Sequence, residues 1–144
     1  MMPDESLYRF PARMESLAAV LAHIAQASDG ADQGMLARAQ TAVEELFSNS
    51  VLHGGPATPE ADSVWVGARL ANRELEVHNE DAFPAFDPFS QLASAQRHSE
   101  LPVEQRPIGG LGILMVHRLA DQAHYNRGGG RNRIMLRFTP RHGS

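Results

Sequence analysis

Cysteine is absent from the 144-residue chain, which excludes a disulfide framework, a thiolate zinc site and a cysteine nucleophile. A basic excess is missing as well. With 13 Lys and Arg against 17 Asp and Glu, the formal charge is −4, the wrong sign for a surface that neutralises nucleic-acid phosphates. No run approaches the roughly 18 apolar residues of a membrane helix. The opening MMPDESLYRF lacks the basic-then-apolar order of a signal peptide. There is no internal repeat and no low-complexity tract. What is present, 42% apolar and 21% charged residues, suits a single globular domain. The expectation is one domain over 1–144, cytoplasmic, with no direct contact to nucleic acid or membrane.

Hydrophobic periodicity divides the chain. Leu7 to Phe10 reads as a short strand, and Ala12 to Gln26 as a helix carrying Leu17, Val20, Leu21 and Ile24 at helical spacing. After Ser28-Asp29-Gly30, the run Gln33 to His53 places Leu36, Ala39, Val43, Leu46, Phe47 and Ser50 on one stripe, and Gly54-Gly55 supplies a helix stop. Strands Ser63 to Leu70 and Glu74 to Asn79 flank the turn Ala71-Asn72-Arg73. From Asp81 to Pro107 prolines break any period, although Phe89 to His98 suits a short helical piece; a stretch this long reads as a lid, a binding loop or a disordered segment. Gly109-Gly110-Leu111-Gly112 opens a helix to about Ala120, and strands Ala123 to Arg127 and Arg133 to Phe138 close the chain around Gly128-Gly129-Gly130. This order predicts a two-layer α/β sandwich, its mostly antiparallel sheet covered by helices on one face.

Three places carry candidate chemistry. Glu45, Asn49 and His53, four residues apart, drift only about 40° per step and form one oblique polar row. By spacing alone this is a solvated face, with Glu45 opposite the apolar stripe. By chemistry, a carboxylate can take a proton and an amide oxygen can ligate a hard cation such as Mg²⁺. The second place is His78-Asn79-Glu80-Asp81 after a strand, where acidic residues either form a turn or accept a hydrogen bond from a ligand amino group. The third is Gly109 to Gly112, where glycines before a helix let backbone N–H groups approach a phosphate. That element matches neither Gly-x-x-x-x-Gly-Lys-Ser/Thr nor the dinucleotide fingerprint. The seven histidines show no metal-ligand spacing, and Ser48 and Ser50 have no His-Asp arrangement nearby.

Taken in order, the three segments resemble a known family. AVEELFSNSVLHGG resembles the N-box of the GHKL (Bergerat) ATP-binding fold, with Glu45, Asn49 and His53 at the pattern positions, and is most similar to anti-sigma factor serine/threonine kinases of bacterial partner-switching systems. EDAFPAFDP resembles their Asp-x-Gly-x-x-Phe-Asp-Pro element through Asp81, Phe86, Asp87 and Pro88. PIGGLGILMVHRLADQAHYNR resembles their second glycine box, helix and strand, Asp121 and Tyr125 included, and NRIMLRF their last strand. Phe83 stands where the pattern usually has a glycine that lets the backbone approach adenine, which implies a rearranged pocket mouth.

The resemblance implies a histidine-kinase-like ATP-binding domain with an ATP lid at about 81–108. It further implies a kinase that holds a sigma factor and uses ATP with Mg²⁺ to phosphorylate a serine or threonine of an anti-anti-sigma antagonist with a STAS-type domain. A second copy of the chain, forming a homodimer, is a further candidate partner. Carried over residue by residue, Glu45 would be the base and Asn49 the Mg²⁺ ligand. Asp81 would accept from the adenine amino group, with Phe83 at the pocket mouth. Gly109, Gly110, Leu111 and Gly112 would wrap the triphosphate, and His53 would support nearby. A binding module with a degenerate ATP site is the alternative from another class. A detached histidine-kinase catalytic domain is a third reading, disfavoured by the lack of a preceding dimerising helix pair with a phosphoacceptor histidine.

Overall fold

The computed structural model describes residues 7–53, 63–105 and 111–141. Its elements run β1 (Leu7–Pro11), α1 (Leu17–Ala27), α2 (Gln33–His53), β2 (Ser63–Ala71), β3 (Glu74–Asp81), α3 (Leu92–Ser99), α4 (Leu111–Leu119), β4 (Gln122–Gly128) and β5 (Arg131–Phe138). The strands form one sheet in the order β1-β2-β3-β5-β4, and all four pairings are antiparallel. No helix among the described residues is long and apolar enough to cross a membrane.

Strand alternation decides which face is covered. Val64, Val66 and Ala68 of β2, Leu75 and Val77 of β3, and Ile134, Leu136 and Phe138 of β5 share the inner face and belong to one core with Val20 and Ile24 of α1 and Val43, Leu46 and Phe47 of α2. Each Val, Leu, Ile or Phe among them, fully buried, stabilises by about 1.5–3 kcal/mol. The outer face carries Trp65, Glu76, His78, Glu80, Arg133 and Arg137, as an antiparallel sheet with one solvated side requires. There the Arg131 guanidinium lies 3.6 Å from the Trp65 ring centre and its Nη1 donates to Glu80 Oε1 at 3.2 Å. Burial alone would raise the Glu76 carboxyl, but hydrogen bonds from His78 and Arg137 outweigh it and hold the group below its ordinary value.

Some boundaries differ from expectation. β1 continues to Pro11, paired with Ser63, so a short 3-10 turn at Met14–Ser16 precedes α1 and the helix starts later than Ala12. Strand β3 runs through Glu80 and Asp81 because both are partnered in place, Glu80 by ion pairs to Arg131 and Arg133 and Asp81 by a hydrogen-bond cluster described below. Asn72 and Arg73, at φ 53° and 64°, make the two-residue turn between β2 and β3. The helical piece expected over Phe89 to His98 is present as the 3-10 turn Pro88–Gln91 running into α3, which ends at Ser99, and a further 3-10 turn follows at Val103–Gln105. The glycine stop at Gly54-Gly55 and residues 106–108 of the expected lid lie outside the described residues.

Two devices hold the elements that reach the candidate site. Asp32 caps α2, its Oδ2 accepting from Met35 N–H at 2.9 Å. At the far end of α4, Arg38 Nη1 donates to the Leu119 carbonyl at 3.0 Å and Arg141 Nη2 to the same carbonyl at 3.1 Å. Asp121 joins the two arginines and accepts from Thr139 N–H at 2.7 Å. Burial would raise the Asp121 carboxyl, yet the Thr139 hydrogen bonds and the charges of Arg141 and Arg38 hold it below its usual range.

Candidate functional site

Three apolar rows turn polar at the same corner of the core. The buried stripe of α2, Ala39, Val43, Leu46, Phe47, ends on buried Ser50. The inner row of β3, Leu75 and Val77, continues as Asn79 and Asp81. The inner row of β5 begins with Asn132, the register partner of Asp81. Apolar burial therefore carries four polar side chains inside, and these must satisfy one another.

They largely do. Asp81, 8% exposed, accepts from Ser50 Oγ at 2.9 Å on Oδ2, and from Asn132 Nδ2 at 2.8 Å and Phe83 N–H at 3.2 Å on Oδ1. A carboxylate offers about four acceptor positions, so three donors leave room for one more. Asn132 also donates to the carbonyls of Pro84 at 3.0 Å and Phe83 at 3.3 Å, while its Oδ1 accepts from Tyr125 Oη at 2.6 Å and Phe86 N–H at 3.1 Å. Arg127 Nη1 donates to the Phe83 carbonyl at 2.7 Å. Asn79 Nδ2 donates to Ser50 Oγ at 3.3 Å, and its Oδ1 is buried with no partner.

Over this cluster lies a cavity of about 190 Å³. Its polar floor is Asn49, Ser50, Asp81 and Asn132; Leu46, Ile134, Phe83, Phe86, Pro84 and Pro88 supply apolar walls. An apolar slot over a hydrogen-bond acceptor suits a planar heterocycle with an exocyclic amino group. Phe83 is 6% exposed and is not among the residues with positive φ, so the backbone there needs no glycine. Asp87 acts on its own turn, where its Oδ1 accepts from Phe89 N–H at 2.9 Å, capping the turn that Pro88 begins.

Asn49, Asp81 and Phe83 thus meet in one cavity. Glu45 does not line it; the side chain lies one turn of α2 back, roughly 6 Å along the axis, and packs on Gly112 near the start of α4. The expectation of a solvated position for Glu45 is corrected here, because α4 covers that side of α2 and leaves Glu45 half-buried. Leu111 is the first residue of α4 and half-buried. Gly109, Gly110 and the His53 side chain lie outside the described residues. Sequence reasoning missed Ser50, Asn132 and Arg127 as parts of the corner. A serine closing an apolar helical stripe was the available signal for Ser50, and an asparagine opening the apolar row of β5 was the signal for Asn132.

Among solved structures, the chain is similar to the RsbU and RsbW domains of Rv1364c from Mycobacterium tuberculosis, at 21% identity and a TM-score of 0.60, over 96% of this chain and 32% of that one. It is also similar to the Acinetobacter baumannii histidine kinase AdeS, at 14% identity and a TM-score of 0.51, over 92% of this chain and 66% of that one. The chain thus spans about a third of the first structure's length and about two thirds of the second's. At these identities the likeness is one of fold. No curated protein matches significantly. The family described as histidine kinase-like ATPase domain matches residues 10–138, nearly the whole chain. The protein is a member of the histidine kinase-like ATPase domain family.

Proposed function

We propose that this domain is a serine/threonine-protein kinase and anti-sigma factor that uses Mg-ATP to phosphorylate an anti-anti-sigma antagonist with a STAS-type domain. The single observation carrying the nucleotide part is Asp81, a buried carboxylate at the floor of an apolar slot with one acceptor position left. Asp81 would accept from the adenine amino group, and Phe83 and Phe86 would border the ring. Asn49 lines the same cavity and would hold Mg²⁺ through its amide oxygen. Bound Mg-ATP supplies a γ-phosphoryl group with part of its charge neutralised.

Glu45, one helical turn from Asn49, is the candidate base. It would take the proton of a substrate hydroxyl as that oxygen bonds to the γ-phosphorus and the bond to ADP breaks. Similarity to a structure holding an RsbW domain supports a partner-switching role, with a sigma factor and an antagonist as the two partners. The test incubates the protein with γ-labelled Mg-ATP and each small protein that co-purifies from the native host. Glu45→Gln should keep nucleotide binding and lose transfer by at least about 10²-fold, the usual contribution of a positioned base. Transfer at the wild-type rate would refute the assignment. Phe83 in the slot favours a second reading, a nucleotide-independent binding regulator, for which wild type would bind no nucleotide.

A further inference from the structure

Helices α2 and α4 pack together, and near the start of α4 the Glu45 side chain rests on Gly112. A Cβ built at Gly112 would lie 2.8 Å from Glu45 Cγ and closer still to Cδ and Oε1. Glycine at the second position of α4 is a poorer helix former than alanine and calls for a cause. Backbone conformation is not that cause, since Gly112, unlike Gly30, Gly129 and Gly130, has no positive φ. Glu45 occupies the space a side chain would need.

The clash would not be cleared by the outer bonds of Glu45. Because Cγ itself falls inside contact distance, χ1 must change or the helices must part. In a helix χ1 has two usable wells, so displacement swings the carboxylate to a different place. Parting is opposed by Leu46 and Phe47 of α2 and Ile113 and Val116 of α4, all buried in one core.

We propose that Gly112 is a positioning residue for Glu45: its bare backbone is the seat that keeps the carboxylate in one rotamer, and any side chain at 112 unseats it. This differs from the role of admitting backbone close to a phosphate. The steric coupling stands on packing alone; only its catalytic consequence rests on the kinase reading.

Four proteins test it: wild type, Gly112→Ala, Glu45→Ala and the double variant, unfolded thermally without nucleotide. In the Glu45→Ala background Gly112→Ala should raise Tm by about 2 °C, the ordinary gain from removing a helical glycine in a domain this size. In the wild-type background that gain should vanish or reverse. Equal shifts in both backgrounds overturn the proposal. In the transfer assay, Gly112→Ala should lower kcat at least about tenfold while KM for Mg-ATP stays within about twofold, because a misplaced base slows chemistry and not binding. A raised KM with kcat intact would overturn it in favour of phosphate approach. If wild type transfers no phosphate, the kinase reading falls, and the thermal cycle still decides whether Gly112 seats Glu45.

Discussion

Asn132→Ala removes in one step the amide that joins β5 to Asp81 and to the turn at Phe83–Phe86. Its side chain makes a charge-assisted hydrogen bond to Asp81 at 2.8 Å and a neutral one to Pro84 at 3.0 Å, and accepts from Phe86 N–H at 3.1 Å and Tyr125 Oη at 2.6 Å. Net contributions are about 1.5–3 kcal/mol for the charged bond and about 0.5–1.5 kcal/mol for each neutral one. Alanine at a site only 6% exposed removes these bonds from a largely buried corner. Allowing for some relaxation, the expected loss is about 4 kcal/mol, or roughly 8–16 °C in Tm. Tyr125→Phe, which deletes one of the bonds, should cost only about 1 kcal/mol. Asn132→Asp puts a second carboxylate against Asp81; it should be more damaging than alanine at pH 7 and recover as falling pH lets one carboxyl protonate. Urea and thermal unfolding measure all three. A loss below about 1 kcal/mol for Asn132→Ala would mean that the corner is not held by this amide, and the site geometry would need redrawing.

Phe83→Gly should alter the preference for adenine over guanine nucleotides in competition binding, because the ring walls the cavity beside Asp81; an unchanged profile would put residue 83 outside the reach of the base. The depressed Asp121 carboxyl makes a signed pH prediction. Its stabilisation is fully present above the ordinary value of 3.8 and is lost as pH falls through the lower folded value. Asp121→Asn should therefore destabilise at neutral pH and flatten the acid limb of the stability profile below about pH 4. An unchanged acid limb would show that the Arg38-Asp121-Arg141 cluster is not part of acid unfolding.

Helix α2 was readable residue for residue, Gln33 to His53, since one unbroken stripe runs from the Asp32 cap onward. Of the polar row ends, Asn79 and Asp81 were singled out and Ser50 was placed on its stripe, but Asn132 was not, and none was read as part of one cluster. Asp81 and Asn132 are separated by 51 residues and meet only through the register of β3 against β5, which no local period encodes. Glu45 shows the same limit from another side. A helical wheel reports the angle between a side chain and the core of its own helix, whereas what covers Glu45 is a different helix arriving from much later in the chain. The extension of β3 to Asp81 escaped sequence reading because charged residues end strands unless cross-strand partners pair with them, as Arg131 and Arg133 do by ion pairs to Glu80 and Asn132 by a hydrogen bond to Asp81.

The central claim is that Asp81 is the floor of a nucleotide site, and isothermal calorimetry of ATP and ADP with Mg²⁺ tests it most directly. Wild type should bind both, Asp81→Asn should bind appreciably more weakly while unfolding cooperatively, and Asn49→Ala should lose the Mg²⁺-dependent part of the affinity. No heat of binding to folded wild type at millimolar nucleotide, or equal affinity in wild type and Asp81→Asn, would contradict the account.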